Sequence, residues 1–349
     1  MDKTVPQGRV KGTLTPPCSK SYAQRALAAA LLSEGESCLR NLEYCDDTRA
    51  ALRCIETLGA SVRGADGGTV TIRGGLRPRG SILRVGESGL STRLFTPIAA
   101  LCDMPVTIEG EGTLLSRPMH MMTAPLRALG VEIADTGGRL PLRVRGPIRG
   151  GEVAVDGSVS SQFITGLLFT LPLLEEDSII QIRPPFESRS YIDLTLEMLK
   201  KFGIRAVYED ALTLRIPGRQ RYVPCDVRVE GDYSQLAFFA VLAAVQGDLA
   251  IHGVSGSSAQ GDRQILSILH DFGASLQPLD DGFLIHRGSL KAAPVDLNDC
   301  PDLGPILFVL AAMAEGTTHI SHAGRLRIKE SDRIAAMEAA QIRRAHHLG

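Results

Sequence analysis

Two kinds of helix alternate along this chain, told apart by where their apolar residues fall. Nearly uninterrupted apolar runs recur at Ala26 to Leu32, Leu94 to Leu101, Phe163 to Leu174, Leu236 to Val245 and Ile306 to Met313. A helix apolar all round is a buried helix. Each run follows small or polar residues suited to capping: Ser19-Lys20-Ser21, Glu87-Ser88-Gly89, Ser158 to Gln162, Gly231 to Ser234, and Pro301-Asp302. The second kind is amphipathic, ends in Leu-Gly or Phe-Gly, and leads into a short β-prone stretch. It occurs at Leu52 to Val62, Leu126 to Ile133, Leu196 to Val207 and Ile265 to Leu276. The glycines, Gly59, Gly130, Gly203 and Gly273, stand 71, 73 and 70 positions apart. One helix-stopping glycine means little; four at a constant period mean a repeated supersecondary unit. Alternating stretches such as Thr69 to Ile72, Gly151 to Val155, Ile179 to Ile182 and Leu212 to Ile216 read as the strands between them. The fold class expected is α/β, built of strands with one buried and one outer helix per unit.

At 349 residues the chain suits two domains. A hydrophobic fraction of 44% and a charged fraction of 22% are those of a globular protein, and a net charge of −1 gives no overall pull toward nucleic acid or an anionic membrane. Anion binding must therefore come from local clusters. The seven cysteines are odd in number, scattered and without a CxxC pair, so neither a disulfide frame nor a zinc site is suggested. The start lacks the apolar core of a secretion signal, and no apolar run reaches the ~18 residues of a membrane span. A reducing cytoplasm is the expected location. The eight histidines show no ligand spacing and read as surface or loop residues.

Lys20, Arg25, Arg93, Arg117, Lys329 and Arg333 lie on or beside the starts of the apolar helices. A lone basic residue there usually faces solvent, and the Ser, Asp and Gly residues could serve only as caps. Helix N-termini offer unpaired N–H groups and a positive dipole end, and basic residues grouped with them point to a multiply anionic substrate. The run Arg327 to Arg333 adds two acids, Glu330 and Asp332, among its bases at the entry to another apolar segment.

The segments Pro17 to Ser21 with Arg25, Asp46 to Arg49, Gly86 to Gly89 with Arg93, Ser116-Arg117-Pro118, Gly157 to Gln162, Tyr191-Ile192-Asp193, Glu230-Gly231-Asp232, Pro301-Asp302 and Arg327 to Arg333 closely resemble, in order, those of the 5-enolpyruvylshikimate-3-phosphate synthases, the 3-phosphoshikimate 1-carboxyvinyltransferases. The resemblance implies transfer of the enolpyruvyl group of phosphoenolpyruvate to the 5-hydroxyl of shikimate 3-phosphate, with release of phosphate and without metal or organic cofactor. It assigns Ser21, Arg25, Ser160, Ser161, Gln162, Ser188, Tyr191, Asp302 and Lys329 to shikimate 3-phosphate. It assigns Lys20, Gly89, Arg117, Gln162 and Arg333 to phosphoenolpyruvate. Lys20, Asp302 and Glu330 are the implied catalytic residues: Asp302 takes the proton of the 5-hydroxyl, and Glu330 exchanges one with the methylene carbon. The partners implied are these two small molecules, with no nucleic acid and no membrane, for a monomeric protein.

The implied fold has two domains of βαβαββ-type units in pseudo-threefold arrangement, with the active site in the cleft between them. The first domain is expected over 20–231, with three units, and the second over 1–19 and 232–349, with about two of three. Glu87 and Leu90 stand where other members carry Asn and Thr. An acid next to Gly89 is compatible with a bound carboxylate only if it faces away. The outer helix read at Ala335 to Leu348 is followed at once by the end of the chain, so a sixth unit, with further cationic contacts to phosphoenolpyruvate, is expected to be absent. An impaired remnant that binds shikimate 3-phosphate is therefore one alternative. The other is the enolpyruvyl transferase that acts on a UDP-amino sugar, disfavoured by Ser21 and by the Lys-Glu-Ser-Asp-Arg run.

Overall fold

The computed structural model describes residues 8–64, 68–158 and 161–348, the last of these by backbone alone over 341–348. The chain forms two compact units, Cys18–Val229 and Met1–Pro17 with Glu230–Gly349. The crossovers thus fall at 17/18 and 229/230, against 19/20 and 231/232 in the sequence reading.

Strand β1 (Val10–Leu14) belongs to the second of these units. The larger unit repeats one plan three times. Its first copy holds α1 (Lys20–Leu32), β2 (Glu36–Arg40), α2 (Asp46–Thr57), β3 (Ser61–Arg63) and β4 (Thr69–Arg73); its second holds β5 (Ile82–Gly86), α3 (Gly89–Ala99), β6 (Val106–Gly110), α4 (His120–Ala128), β7 (Glu132–Ala134) and β8 (Leu142–Arg145). The third holds β9 (Glu152–Asp156), α5 (Ser161–Thr170), β10 (Ser178–Arg183), α6 (Arg189–Lys201), β11 (Val207–Tyr208) and β12 (Thr213–Ile216). In the second and third copies a leading strand pairs parallel with the next, and a hairpin completes the sheet, in the orders β5-β6-β8-β7 and β9-β10-β12-β11. The first copy has no leading strand of its own. β13 (Val227–Arg228), from the far end of the unit, takes that place beside β2.

The outer helices α2, α4 and α6 end at Gly59, Gly130 and Gly203, whose φ values of +120°, +82° and +77° are the left-handed stops that the Leu-Gly and Phe-Gly pairs imply. The apolar helices α1, α3 and α5 sit inside, α1 buried from Tyr22 to Leu32 and α3 along its whole length. Small residues let them approach closely. A Cβ on Gly166 of α5 would lie 2.3 Å from the Arg93 carbonyl oxygen of α3.

The other unit repeats the sheet, with order β1-β14-β16-β15, from β14 (Gly247–His252), β15 (Ser275–Leu279) and β16 (Gly282–His286). Around it lie α7 (Tyr233–Gln246), α8 (Ile265–Asp271), the short parallel pair β17 (Val295–Asp296) and β18 (Ile320–Ser321), α9 (Gly304–Met313) and α10 (Arg333–Leu348). Its core joins Tyr233, Leu236, Phe272, Leu307, Leu310 and Leu326. The expectation of helices buried all round is corrected here. One flank of α7 is open, leaving Phe238, Phe239 and Leu242 exposed. All seven cysteines are free, and no helix among the described residues is long and apolar enough to cross a membrane.

Candidate active site

In the smaller unit, hydrophobic packing brings the charges together. The side chain of Leu326, in a 3-10 turn over Gly324–Ile328, is fully buried against Gly304, where a Cβ would come within 2.5 Å of it. Asp302 lies two residues before Gly304 in another 3-10 turn, and Lys329 three residues after Leu326, so this one contact anchors both. Oδ1 of Asp302 receives Arg333 at 2.9 Å and Lys329 at 3.5 Å, and the second arm of Arg333 holds Oε2 of Glu330 at 2.8 Å. Burial works against the Arg333 charge, but attraction to Asp302 and Glu330 raises its proton affinity above the ordinary arginine value. Two cations on one carboxylate oxygen favour the ionised form of Asp302. Glu330 is the more exposed acid, with more than half its side chain accessible. The fourth charge of the run has another task. Asp332 caps α10 by accepting from the Ala335 N–H at 3.0 Å and pairs with Arg327 at 2.9 Å, which is the bland reading of a charged first turn, true for this residue.

In the larger unit the assigned residues gather around the starts of α1, α3 and α5. Ser19 caps α1, and Lys20, the first residue of that helix, reaches Asp47 at 3.1 Å while remaining half-exposed. Gly89 opens α3 under two guanidinium groups: a Cβ there would meet Arg117 at 2.6 Å and Arg93 at 2.9 Å. Arg93 donates to the Gly89 carbonyl at 3.1 Å and to Oε1 of Gln162 at 3.2 Å, which turns the Gln162 amide N–H groups away from Arg93. Ser161 begins α5 and is buried, and Ser188 stands just before α6 in the left-handed region at φ +57°. Ser160 lies outside the described residues.

Arg25, assigned to shikimate 3-phosphate, is fully buried and donates to Thr195 Oγ1 at 2.9 Å, to the carbonyl oxygens of Ser21 at 2.9 Å and Tyr191 at 3.2 Å, and to Thr165 Oγ1 at 3.3 Å. Burial lowers its proton affinity to about 10. Arg25 therefore braces the backbone of Ser21 and Tyr191 from inside. Glu87 does face away from Gly89: its Oε2 accepts from the Thr113 N–H at 2.9 Å and from the Thr113 hydroxyl at 2.8 Å, bonds that hold the carboxylate below its usual range.

Sequence reasoning missed Gln24, whose Oε1 accepts from the hydroxyls of Ser88 at 3.0 Å and Ser91 at 2.8 Å and so ties α1 to the start of α3. Its signal was an amide just ahead of the apolar run Ala26 to Leu32. It also missed Asp262, which is buried beside Ser234 and carried no signal in its loop. Four histidines pair with aspartates, His252 with Asp281, His270 with Asp271, His286 with Asp248 and His322 with Asp296.

A sequence model of the family described as EPSP synthase (3-phosphoshikimate 1-carboxyvinyltransferase) matches residues 5–345. The 3-phosphoshikimate 1-carboxyvinyltransferase of Clostridium beijerinckii is 38% identical over 340 residues, 95% of this chain and 78% of its own. That of Methanocorpusculum labreanum is 38% identical over 339 residues, 96% of this chain and 80% of its own. Among solved structures, an EPSP synthase from Acinetobacter baumannii superposes with a TM-score of 0.81 at 28% identity, covering 96% of this chain and 78% of that one. The expectation of an absent C-terminal repeat is not borne out. The match holds over nearly the whole of this chain.

Proposed function

For a chain that belongs to the EPSP synthase family, we propose that Asp302 and Glu330 carry the proton transfers of the reaction, held in place by Lys329 and Arg333, and that Lys20, Gly89, Arg117, Gln162 and Arg333 hold phosphoenolpyruvate. The protein is a 3-phosphoshikimate 1-carboxyvinyltransferase, joining the enolpyruvyl group of phosphoenolpyruvate to the 5-hydroxyl of shikimate 3-phosphate. The observation that supports these roles best is the bridging of two carboxylates by one guanidinium, Asp302 at 2.9 Å and Glu330 at 2.8 Å, with Lys329 on the first.

A sugar hydroxyl is a weak nucleophile at neutral pH and needs a positioned base, which is the part given to Asp302. As the 5-oxygen attacks C2 of phosphoenolpyruvate, Glu330 gives a proton to the methylene carbon, yielding a tetrahedral adduct with a methyl group. In the elimination the C–O bond to phosphate breaks, the methyl carbon returns one proton to Glu330, and inorganic phosphate leaves with the proton that Asp302 took from the 5-hydroxyl. Positive charge develops next to oxygen in both steps, and fixed carboxylates stabilise it while Lys20, Arg117 and Arg333 hold phosphate and carboxylate in line. Ser21, Ser160, Ser161, Gln162, Ser188, Tyr191 and Lys329 are the proposed contacts of shikimate 3-phosphate, with Arg25 supporting two of them from behind.

No organic cofactor, metal or macromolecular partner enters this reading, which takes the protein as a cytoplasmic monomer; sedimentation tests the monomer. The function itself is tested by following phosphate release from phosphoenolpyruvate with shikimate 3-phosphate or UDP-N-acetylglucosamine as acceptor. Release with the first and none with the second is expected. The reverse outcome would place the chain with the amino-sugar transferases.

A further inference from the structure

We propose that Asp262 is a positioning residue of the reaction centre, acting on Asp302 and Lys329 from within the smaller unit. The proposal rests on the roles given to Asp302 and Lys329 above. Asp262 sits in the 3-10 turn Gly261–Gln264 at 2% exposure. Its Oδ2 accepts from the Ser234 hydroxyl, in the first turn of α7, and its Oδ1 is enclosed without a hydrogen-bond partner. An ionised oxygen in that position loses its hydration and gains no donor, whereas a protonated carboxyl loses far less.

The groups that face it make the same choice. Asp232 caps the start of α7, and Asp302 comes from the turn before α9. Lys329 follows the turn after β18, and the Cys300 thiol, itself pushed up by burial and by Asp262, stands before Asp302. On α8, which continues from the Asp262 turn, His270 and Asp271 pair with each other at the surface. Burial above all, then repulsion from Asp302 and Asp232, lifts the Asp262 carboxyl to about 8, against the opposing pull of Ser234 and Lys329. Among the described residues no three His, Cys, Asp or Glu side chains are placed to hold a metal ion, so this cluster is read as a proton site. Asp302 is partly exposed and bridged by two cations, so Asp302 takes the negative charge and Asp262 the proton.

A neutral Asp262 leaves the Lys329 charge to Asp302 and to the anionic substrates. Once ionised, it competes for Lys329 and adds repulsion toward two substrates that are themselves anions. The ionisation of a phosphate monoester falls near pH 6, well below this range, so substrate titration does not imitate the effect. The same group sets a stability trend. Its folded proton affinity is raised, so the stability it contributes is complete below the ordinary carboxylate range and is lost as pH rises through about 8.

The test is kcat/KM for phosphoenolpyruvate across roughly pH 6 to 10. Wild type should hold a plateau and then fall with an inflection near 8. Asp262→Asn, which fixes the neutral form, should extend the plateau by about one pH unit or more. Ser234→Ala, which removes the donor that favours ionisation, should move the inflection upward by about half a unit or more, and decides the matter alone if the Asn variant does not fold. An inflection that stays in place in either folded variant reduces Asp262 to a structural residue and overturns the proposal. Wild-type protein that releases no phosphate at any pH would instead sink the functional reading on which it rests.

Discussion

If Arg25 braces the site from inside, removing it should cost stability first and substrate affinity second. Of four hydrogen bonds from a buried guanidinium, three hold α1 against α5 and α6 and the fourth closes on the Ser21 carbonyl within α1. Each charge-assisted bond contributes about 1.5–3 kcal/mol, a gross sum of about 6–12 kcal/mol. Burying the charge opposes this. The fall of its proton affinity from 12.5 to about 10 corresponds to about 3 kcal/mol. The partners are not all stranded by its loss: Thr195 still donates to the Tyr191 carbonyl at 2.8 Å, and Thr165 and Thr195 still bond each other at 2.9 Å. Arg25→Met, which keeps the apolar stem, should therefore destabilise by about 3–5 kcal/mol, and Arg25→Ala, which also leaves a void, by more. Urea unfolding followed by circular dichroism reads this directly, and calorimetry with shikimate 3-phosphate reads the second effect, a smaller loss of affinity through displaced Ser21 and Tyr191. An Arg25→Met protein that unfolds at the wild-type urea concentration yet loses most of its affinity for shikimate 3-phosphate would show that the guanidinium is a ligand contact, and the brace would be refuted.

Other outcomes follow from the same geometry. Gly89→Ala places a methyl group 2.6 Å from Arg117 and 2.9 Å from Arg93, and displacing those side-chain ends should raise KM for phosphoenolpyruvate about tenfold with little change in unfolding midpoint, about 1.4 kcal/mol of binding. Glu87→Gln should leave that KM within about twofold, since the carboxylate is engaged by Thr113 and not by the α3 start; a larger change in steady-state KM would mean that Glu87 turns toward the substrate. Burial pushes the Cys54 thiol up to about 12 and Cys102 to about 11, while Cys45 is exposed. Maleimide labelling of native protein, read by mass, should thus modify Cys45 well before either buried thiol.

The repeat was legible because it is written twice, in a glycine at each outer-helix end and in an apolar run for each inner helix, and both signals are local. The parallel leading strands were less so. β13 has two residues and takes its place beside β2 through a pairing between Val227 and Leu39 that no local pattern announces. The charged run after Leu326 was visible as chemistry, but not the division of labour within it, because Asp332 and Glu330 differ only in which neighbour each meets. The surroundings of Arg25 were hidden for a related reason. A basic residue at a helix start looks solvent-facing in sequence, and only the tertiary approach of Thr165, Tyr191 and Thr195 shows that its charge is satisfied internally. Asp262 could not have been found at all, since its significance lies in Ser234 and Asp302 lying beside it.

The central claim is that the carboxylates joined by Arg333 move the protons of the reaction, and phosphate release at saturating phosphoenolpyruvate and shikimate 3-phosphate tests it in Glu330→Gln. This change keeps the size of the side chain and one acceptor for Arg333 but removes the transferable proton. The account predicts a kcat lower by about 10²–10⁴ with calorimetric affinity for shikimate 3-phosphate held near the wild-type value. A Glu330→Gln protein turning over within about threefold of wild type would contradict it, and the proton would have to be assigned elsewhere.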